Sequence, residues 1–129
     1  MSYKQSKHQV FLLNYHLIWC PKRRKPVLVG QIAERLKEIV EEVAVELGVE
    51  ILALEIMSDH IHLFVSAYPQ LSITHLVKSF KGKSAHILRQ EFPELLKLPS
   101  LWTHSYFVST AGNVSSETIK KYIEAQSKK

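Results

Sequence analysis

The chain has 129 residues, 46% hydrophobic and 22% charged, a balance that fits a single globular domain over residues 1–129 and excludes a low-complexity or disordered chain. No apolar run approaches the roughly 18 residues that cross a bilayer, the first ten residues lack the apolar stretch of a secretory signal, and Cys20 is the only cysteine, so a cytoplasmic protein without membrane association is expected. The formal net charge of +5 and pI of about 9.4 favour a polyanionic partner such as nucleic acid over an acidic one.

Residues 10–19, VFLLNYHLIW, are rich in strand-forming types and predict a first strand, ended by Cys20-Pro21 and followed by the basic run Lys22-Arg23-Arg24-Lys25. Ile32, Leu36, Ile39, Val40, Val43 and Leu47 share one helical face over 31–47, and Gly48 supplies a stop. A second strand is expected over 49–57, a turn at Ser58-Asp59, and a third, antiparallel strand from His60 to Ala67. Ser72 or Thr74 caps a helix to about Glu91, Pro93 and Pro99 punctuate a loop, and 101–109 predict a fourth strand. Gly112-Asn113 turns the chain into a last helix capped by Ser115 or Ser116. This order describes an α+β fold of the ferredoxin-like or RRM-like kind: a four-stranded antiparallel sheet with helices on one face, plus a C-terminal helix. The other face is left for a ligand, a partner subunit or the last helix.

His60-Ile61-His62 is the most informative tripeptide. Alternate residues of a strand share a face, with Cα atoms roughly 6.6 Å apart, so two imidazoles can converge on one metal ion while Ile61, Leu63 and Val65 enter the core. Two exposed histidines without a role are the plain alternative. A histidine-triad hydrolase would want another His where Phe64 stands, and a double-histidine phosphoesterase would need a second copy of its motif, which is absent. A catalytic metal site usually takes three protein ligands, so a third is sought in the last helix, where Tyr122 and Gln126 lie one turn apart on one face. Lys120 and Lys121 flank Tyr122, and positive charge or a metal would favour its phenolate over a phenol of pKa near 10. A tyrosine that merely packs is the plain alternative there.

Taken together, Tyr15-His16-Leu17-Ile18-Trp19-Cys20-Pro21-Lys22, Met57 through Leu63, Phe80 through Ala85, Leu101-Trp102 with Ser105-Tyr106-Phe107, and Thr118 through Gln126 resemble the small single-tyrosine transposases of the His-hydrophobic-His class, the insertion-sequence 200/605 type or IS200-like family. The resemblance runs through nearly the whole chain. It implies His60 and His62 as metal ligands, Gln126 as a third ligand, Tyr122 as the nucleophile and Mg²⁺ or Mn²⁺ as the ion. One departure is Lys22-Arg23-Arg24 where the family usually has Lys-Tyr-Arg; another is that only three residues follow Gln126.

The activity so implied is cleavage and rejoining of single-stranded DNA through a 5′-phosphotyrosine, with hairpins recognised at the element ends, by a prokaryotic protein that works at the nucleoid. Lys22, Arg23, Arg24, Lys78, Lys81, Lys83 and Arg89 are the candidate phosphate contacts, and His104 and Tyr106 could stack on bases. A homodimer that shares its active sites is expected, because two cuts need two tyrosines and because the first strand offers apolar residues to both faces. Alternatives are a nickase of the replication-initiator or relaxase kind, expected in a longer chain; a domesticated hairpin binder; and a non-catalytic nucleic-acid module using the open sheet face.

Overall fold

The structure, a computed structural model, describes residues 12–110 and 115–127. At its centre, β1 (Leu13–Trp19) pairs antiparallel with β3 (His60–Ala67) in a register that sets Ile18 opposite His62 and Trp19 opposite Ile61. β2 (Glu50–Met57) flanks β3 and β4 (Phe107–Thr110) flanks β1, giving the order β2-β3-β1-β4 with every pair antiparallel. Helices α1 (Gly30–Leu47) and α2 (Ile73–Glu91) form the two crossovers, and α3 (Ser116–Gln126) ends the described chain. This is the expected ferredoxin-like arrangement.

Alternation divides the central strands between two environments. Tyr15, Leu17 and Trp19 of β1 and Ile61, Leu63 and Val65 of β3 are buried against Leu36, Ile39, Val40 and Val43 of α1 and Leu76, Val77, Phe80 and Leu88 of α2. Each of these side chains contributes about 1.5–3 kcal/mol by leaving water. Gly48 ends α1 in the left-handed conformation at φ 72°, its N–H reaching the carbonyls of Ala44 and Val45. The Ser72 and Ser115 hydroxyls accept from the N–H of His75 and Thr118, both at 3.1 Å, and so cap α2 and α3.

The opposite sheet face is partly covered by α3. Ile123 packs on Ile18 and Cys20, with Ile119, Tyr122 and Phe107 around them. The apolar residue that β1 shows to its second face is thus buried within the chain, and it no longer argues for a subunit interface. The positions before Leu12 and the Gly112-Asn113 turn lie outside the described residues.

The fourth strand differs from expectation. It begins at Phe107, not 101, because the pairing is interrupted after a single antiparallel bridge at Trp102 and resumes only at Phe107. Trp102 bridges only to Pro21, while Lys22 N–H donates to the Leu101 carbonyl at 2.8 Å and Thr103 N–H to the Cys20 carbonyl at 3.0 Å. The Lys81 ammonium donates to three successive carbonyls, of Thr103, His104 and Ser105, at 2.6, 3.3 and 3.1 Å. Successive carbonyls of a strand point in opposite directions and cannot all meet one cation. Trp102 completes the tie, its indole N–H donating to the Lys81 carbonyl and to Ser84 Oγ.

Candidate active site

The pairing of β3 with β2 and β1, and of β1 with β4, sets Glu55, His62, Ile18 and Phe107 in one row across the open face. His60 stands at the start of β3, directly after the Ser58-Asp59 turn, two residues from His62 and on the same face. Both rings are half-buried, so the strand delivers two imidazoles to one surface as expected. Burial, then the neighbouring His16, lowers the pKa of His62, with Glu55 opposing. Burial and His16 both favour the neutral ring, the form that a metal requires.

Each histidine has a partner that the sequence did not single out. Asp59 Oδ1 lies 2.9 Å from His60 Nδ1, and Asp59 Oδ2 lies 3.4 Å from Arg24 Nε. His62 Nε2 lies 3.1 Å from Nδ1 of His16, whose ring stacks on Phe64 at 4.1 Å between centroids. His62 Nδ1 faces the exposed Glu55 at 3.7 Å. In sequence His16 reads as one more strand residue and Asp59 as a turn former; their partners come from register and from a loop 35 positions away, which no local spacing reveals.

The tyrosine helix sits on the same face but turns its two candidate residues away from the histidines. Tyr122 OH is 3.2 Å from Ser105 Oγ, and Ser105 Oγ donates to Gln126 Oε1 at 2.9 Å. The Tyr122 ring neighbours that of Phe107 at 6.1 Å, and Gln126 is only 3% exposed. Phe107 and His62 are two strand spacings apart, about 10 Å. The helix flank nearest His60 instead carries Ile119, Lys120, Ile123 and Glu124, which with Arg24 and His60 line an open cavity of about 360 Å³.

Two of the expected metal ligands therefore share a surface, and the third does not join them in this packing. Among the described residues no three His, Cys, Asp or Glu side chains are grouped to hold a metal. His60 and His62 supply two imidazoles suited to a divalent ion, with His62 Nε2 engaged by His16 and the Gln126 oxygen by Ser105 in this packing. The expected help from lysine is also missing here. Burial raises the pKa of Tyr122, the Ser105 bond lowers it in part, and Lys121 is drawn to Glu117 at 3.5 Å.

The candidate DNA contacts separate in the same way. Arg23 and Lys78 are exposed and Lys22 is half-buried. Arg24 is engaged with Asp59, Lys83 with Glu46, and Arg89 with the Leu98 and Pro99 carbonyls. Lys81, its pKa lowered to about 8 by burial, holds the 103–105 loop. Lys78, His104 and Tyr106 share a shallow groove between α2 and that loop.

A fold of this topology with a His-x-His strand and a tyrosine-bearing helix on one sheet face fits the transposase class, and the comparisons identify the family. Residues 9–126 match the family described as Transposase IS200 like. The ISDra2 transposase TnpA of Deinococcus radiodurans is 41% identical over 126 residues, 95% of this chain and 90% of its own length. The transposase for insertion sequence element IS200 of Salmonella typhimurium is 28% identical over 95% of this chain and 82% of its own length. Among solved structures, one described as a transposase from Deinococcus radiodurans R1 superposes with a TM-score of 0.88 at 42% identity, covering 95% of this chain and 97% of that one. A REP-associated tyrosine transposase bound to a REP hairpin shares the fold, with a TM-score of 0.60 at 14% identity over 96% of this chain and 69% of its own. The chain belongs to the IS200-like transposase family. No helix among its described residues is long and apolar enough to cross a membrane.

Proposed function

We propose that this transposase cleaves and rejoins single-stranded DNA at the ends of its element, with Tyr122 as nucleophile and with His60, His62 and Gln126 as ligands of a divalent ion, Mg²⁺ or Mn²⁺. The observation that carries the reading is the placement of His60 and His62 side by side on the sheet face over which the tyrosine helix lies. Tyr122 gives up its phenolic proton and its oxygen attacks the scissile phosphorus, the P–O3′ bond breaks, and the leaving 3′-oxygen takes up a proton from water, so that in net terms the phenol's proton ends on the free 3′-hydroxyl. One phosphodiester replaces another, so the step is nearly balanced in energy and reverses to join a new strand. When bound, the ion supplies positive charge at the phosphate and at the leaving oxygen. His60 and His62 would hold it through their imidazole nitrogens.

The position of Tyr122, over β4 and held by Ser105, supports a homodimer in which the tyrosine of one subunit serves the histidines of the other. Leaving Ser105 would release Tyr122 and Gln126 in one movement, since both bond to that hydroxyl. The DNA partner is proposed to be a hairpin at each element end, the kind of ligand that the REP-associated structure holds.

The direct test is incubation with labelled single-stranded DNA from the element ends, with and without metal. Metal-dependent cleavage is expected in the wild type. His60→Ala and His62→Ala should each abolish it and weaken Mn²⁺ binding without unfolding the protein, because both rings are half-buried on the open face rather than in the core. Full cleavage by either variant would refute the metal assignment. No cleavage by the wild type, with hairpin binding retained, would favour a hairpin-binding module.

Hairpin binding should also weaken steeply with salt. If Lys22, Arg23 and Lys78 neutralise three phosphates, affinity should fall about 40-fold between roughly 50 and 200 mM monovalent salt. A flat plot of log affinity against log salt would count against these residues as the binding surface.

A further inference from the structure

We infer that Asp59, clamped by Arg24, is a positioning residue that fixes the tautomer of His60 and so points its Nε2 lone pair at the metal; the inference rests on the proposed role of His60 as a ligand. A neutral imidazole has one N–H and one lone pair, and only the lone pair binds a metal. An ionised carboxylate can only accept a hydrogen bond, so the 2.9 Å contact from Asp59 Oδ1 places the ring proton on Nδ1 of His60. Nε2 is then the donor nitrogen. Without this partner, an imidazole in water favours the opposite tautomer, with the proton on Nε2.

The second carboxylate oxygen is held as well. Arg24 Nε lies 3.4 Å from Asp59 Oδ2, so each oxygen has its own cationic or N–H partner. Delivering Arg24 to that place requires an unusual backbone. Arg23 and Arg24 lie at φ 56° and 55°, in the left-handed region that non-glycine residues seldom occupy. The turn is closed by the Arg24 N–H to the Pro21 carbonyl at 2.8 Å, and the facing Ser58-Asp59 turn is pinned by the Leu28 N–H to the Ser58 carbonyl at 3.0 Å. Two turns from distant parts of the chain are thus held together around one imidazole. His62 has no comparable carboxylate: His16 Nδ1 lies 3.1 Å from its Nε2, and Glu55, 72% exposed, lies 3.7 Å from its Nδ1. The arrangement assigns Arg24 a task other than a phosphate contact.

The test uses the full chain without DNA. Ring ¹⁵N NMR of the metal-free wild type should report His60 with its proton on Nδ1, and Asp59→Ala should shift it towards the Nε2–H form. Mn²⁺ affinity, measured by calorimetry or electron paramagnetic resonance, should fall about 10- to 100-fold in Asp59→Ala. Asp59→Asn keeps an acceptor oxygen and should recover the tautomer and most of the affinity. Arg24→Gln should cause a smaller loss in the same direction, and it carries the test with Asp59→Asn if the alanine variant fails to fold. An unchanged tautomer and unchanged Mn²⁺ affinity in Asp59→Ala would overturn the positioning role. Equal Mn²⁺ binding by wild type and His60→Ala would instead refute His60 as a ligand, and the inference would fall with that reading.

Discussion

Tyr122→Phe is expected to eliminate the covalent protein–DNA adduct while leaving hairpin binding in place. The change removes one oxygen and retains the ring, so the contacts with Phe107 and with the apolar patch of Ile18, Cys20 and Ile123 persist. It also removes the bond to Ser105, at a cost to stability of about 0.5–1.5 kcal/mol, and Ser105 keeps its bond to Gln126. The chemical effect should be far larger. Loss of a nucleophile that no neighbour replaces lowers the rate by at least about three orders of magnitude. The measurement is a denaturing gel of protein with end-labelled single-stranded DNA, beside a binding assay on the same hairpin. An adduct that survives denaturation would move the nucleophile elsewhere, with Tyr106, half-buried beside Lys81, as the next candidate.

The second large effect concerns which chain supplies the tyrosine. His60→Ala and Tyr122→Phe proteins, each inactive alone, should recover activity on mixing once subunits exchange. In a shared-site dimer, random exchange makes half of the molecules heterodimers. Each heterodimer has one composite site with intact histidines from one subunit and intact Tyr122 from the other, so cleavage should return to about a quarter of the wild-type level. The motive is the geometry within one chain. Tyr122 lies over β4 and bonds to Ser105, about two strand spacings from His62, while Ile119, Lys120, Ile123 and Glu124 face the His60 cavity. Demonstrated exchange without recovered cleavage would show that tyrosine and histidines act from the same chain. A monomeric mass by light scattering with DNA bound would remove the dimer altogether.

Local periodicity alone determined much of this protein. The 3.6-residue pattern over 31–47 and the stop at Gly48 marked α1, and the alternation from His60 to Ala67 marked β3 and separated Ile61, Leu63 and Val65 from the two histidines. These features follow from the geometry of a single element, in which the pattern of neighbours decides which side chains share a face. The same spacing placed Tyr122 and Gln126 on one side of the last helix, where the structure finds them sharing Ser105.

What the tertiary structure alone decided depends on partners far apart in sequence. Residues 101–106 have strand-forming composition, yet their pairing breaks after Trp102, where Lys81 gathers three of their carbonyls and Trp102 reaches Lys81 and Ser84 on α2. Ile18 looked like surface for another subunit until α3 of the same chain covered it. Arg24 read as one of several basic residues, but a left-handed turn carries it to Asp59 and so to His60. In each case one side chain had several partners chemically open to it, and only the packing of whole elements against one another selected which it met.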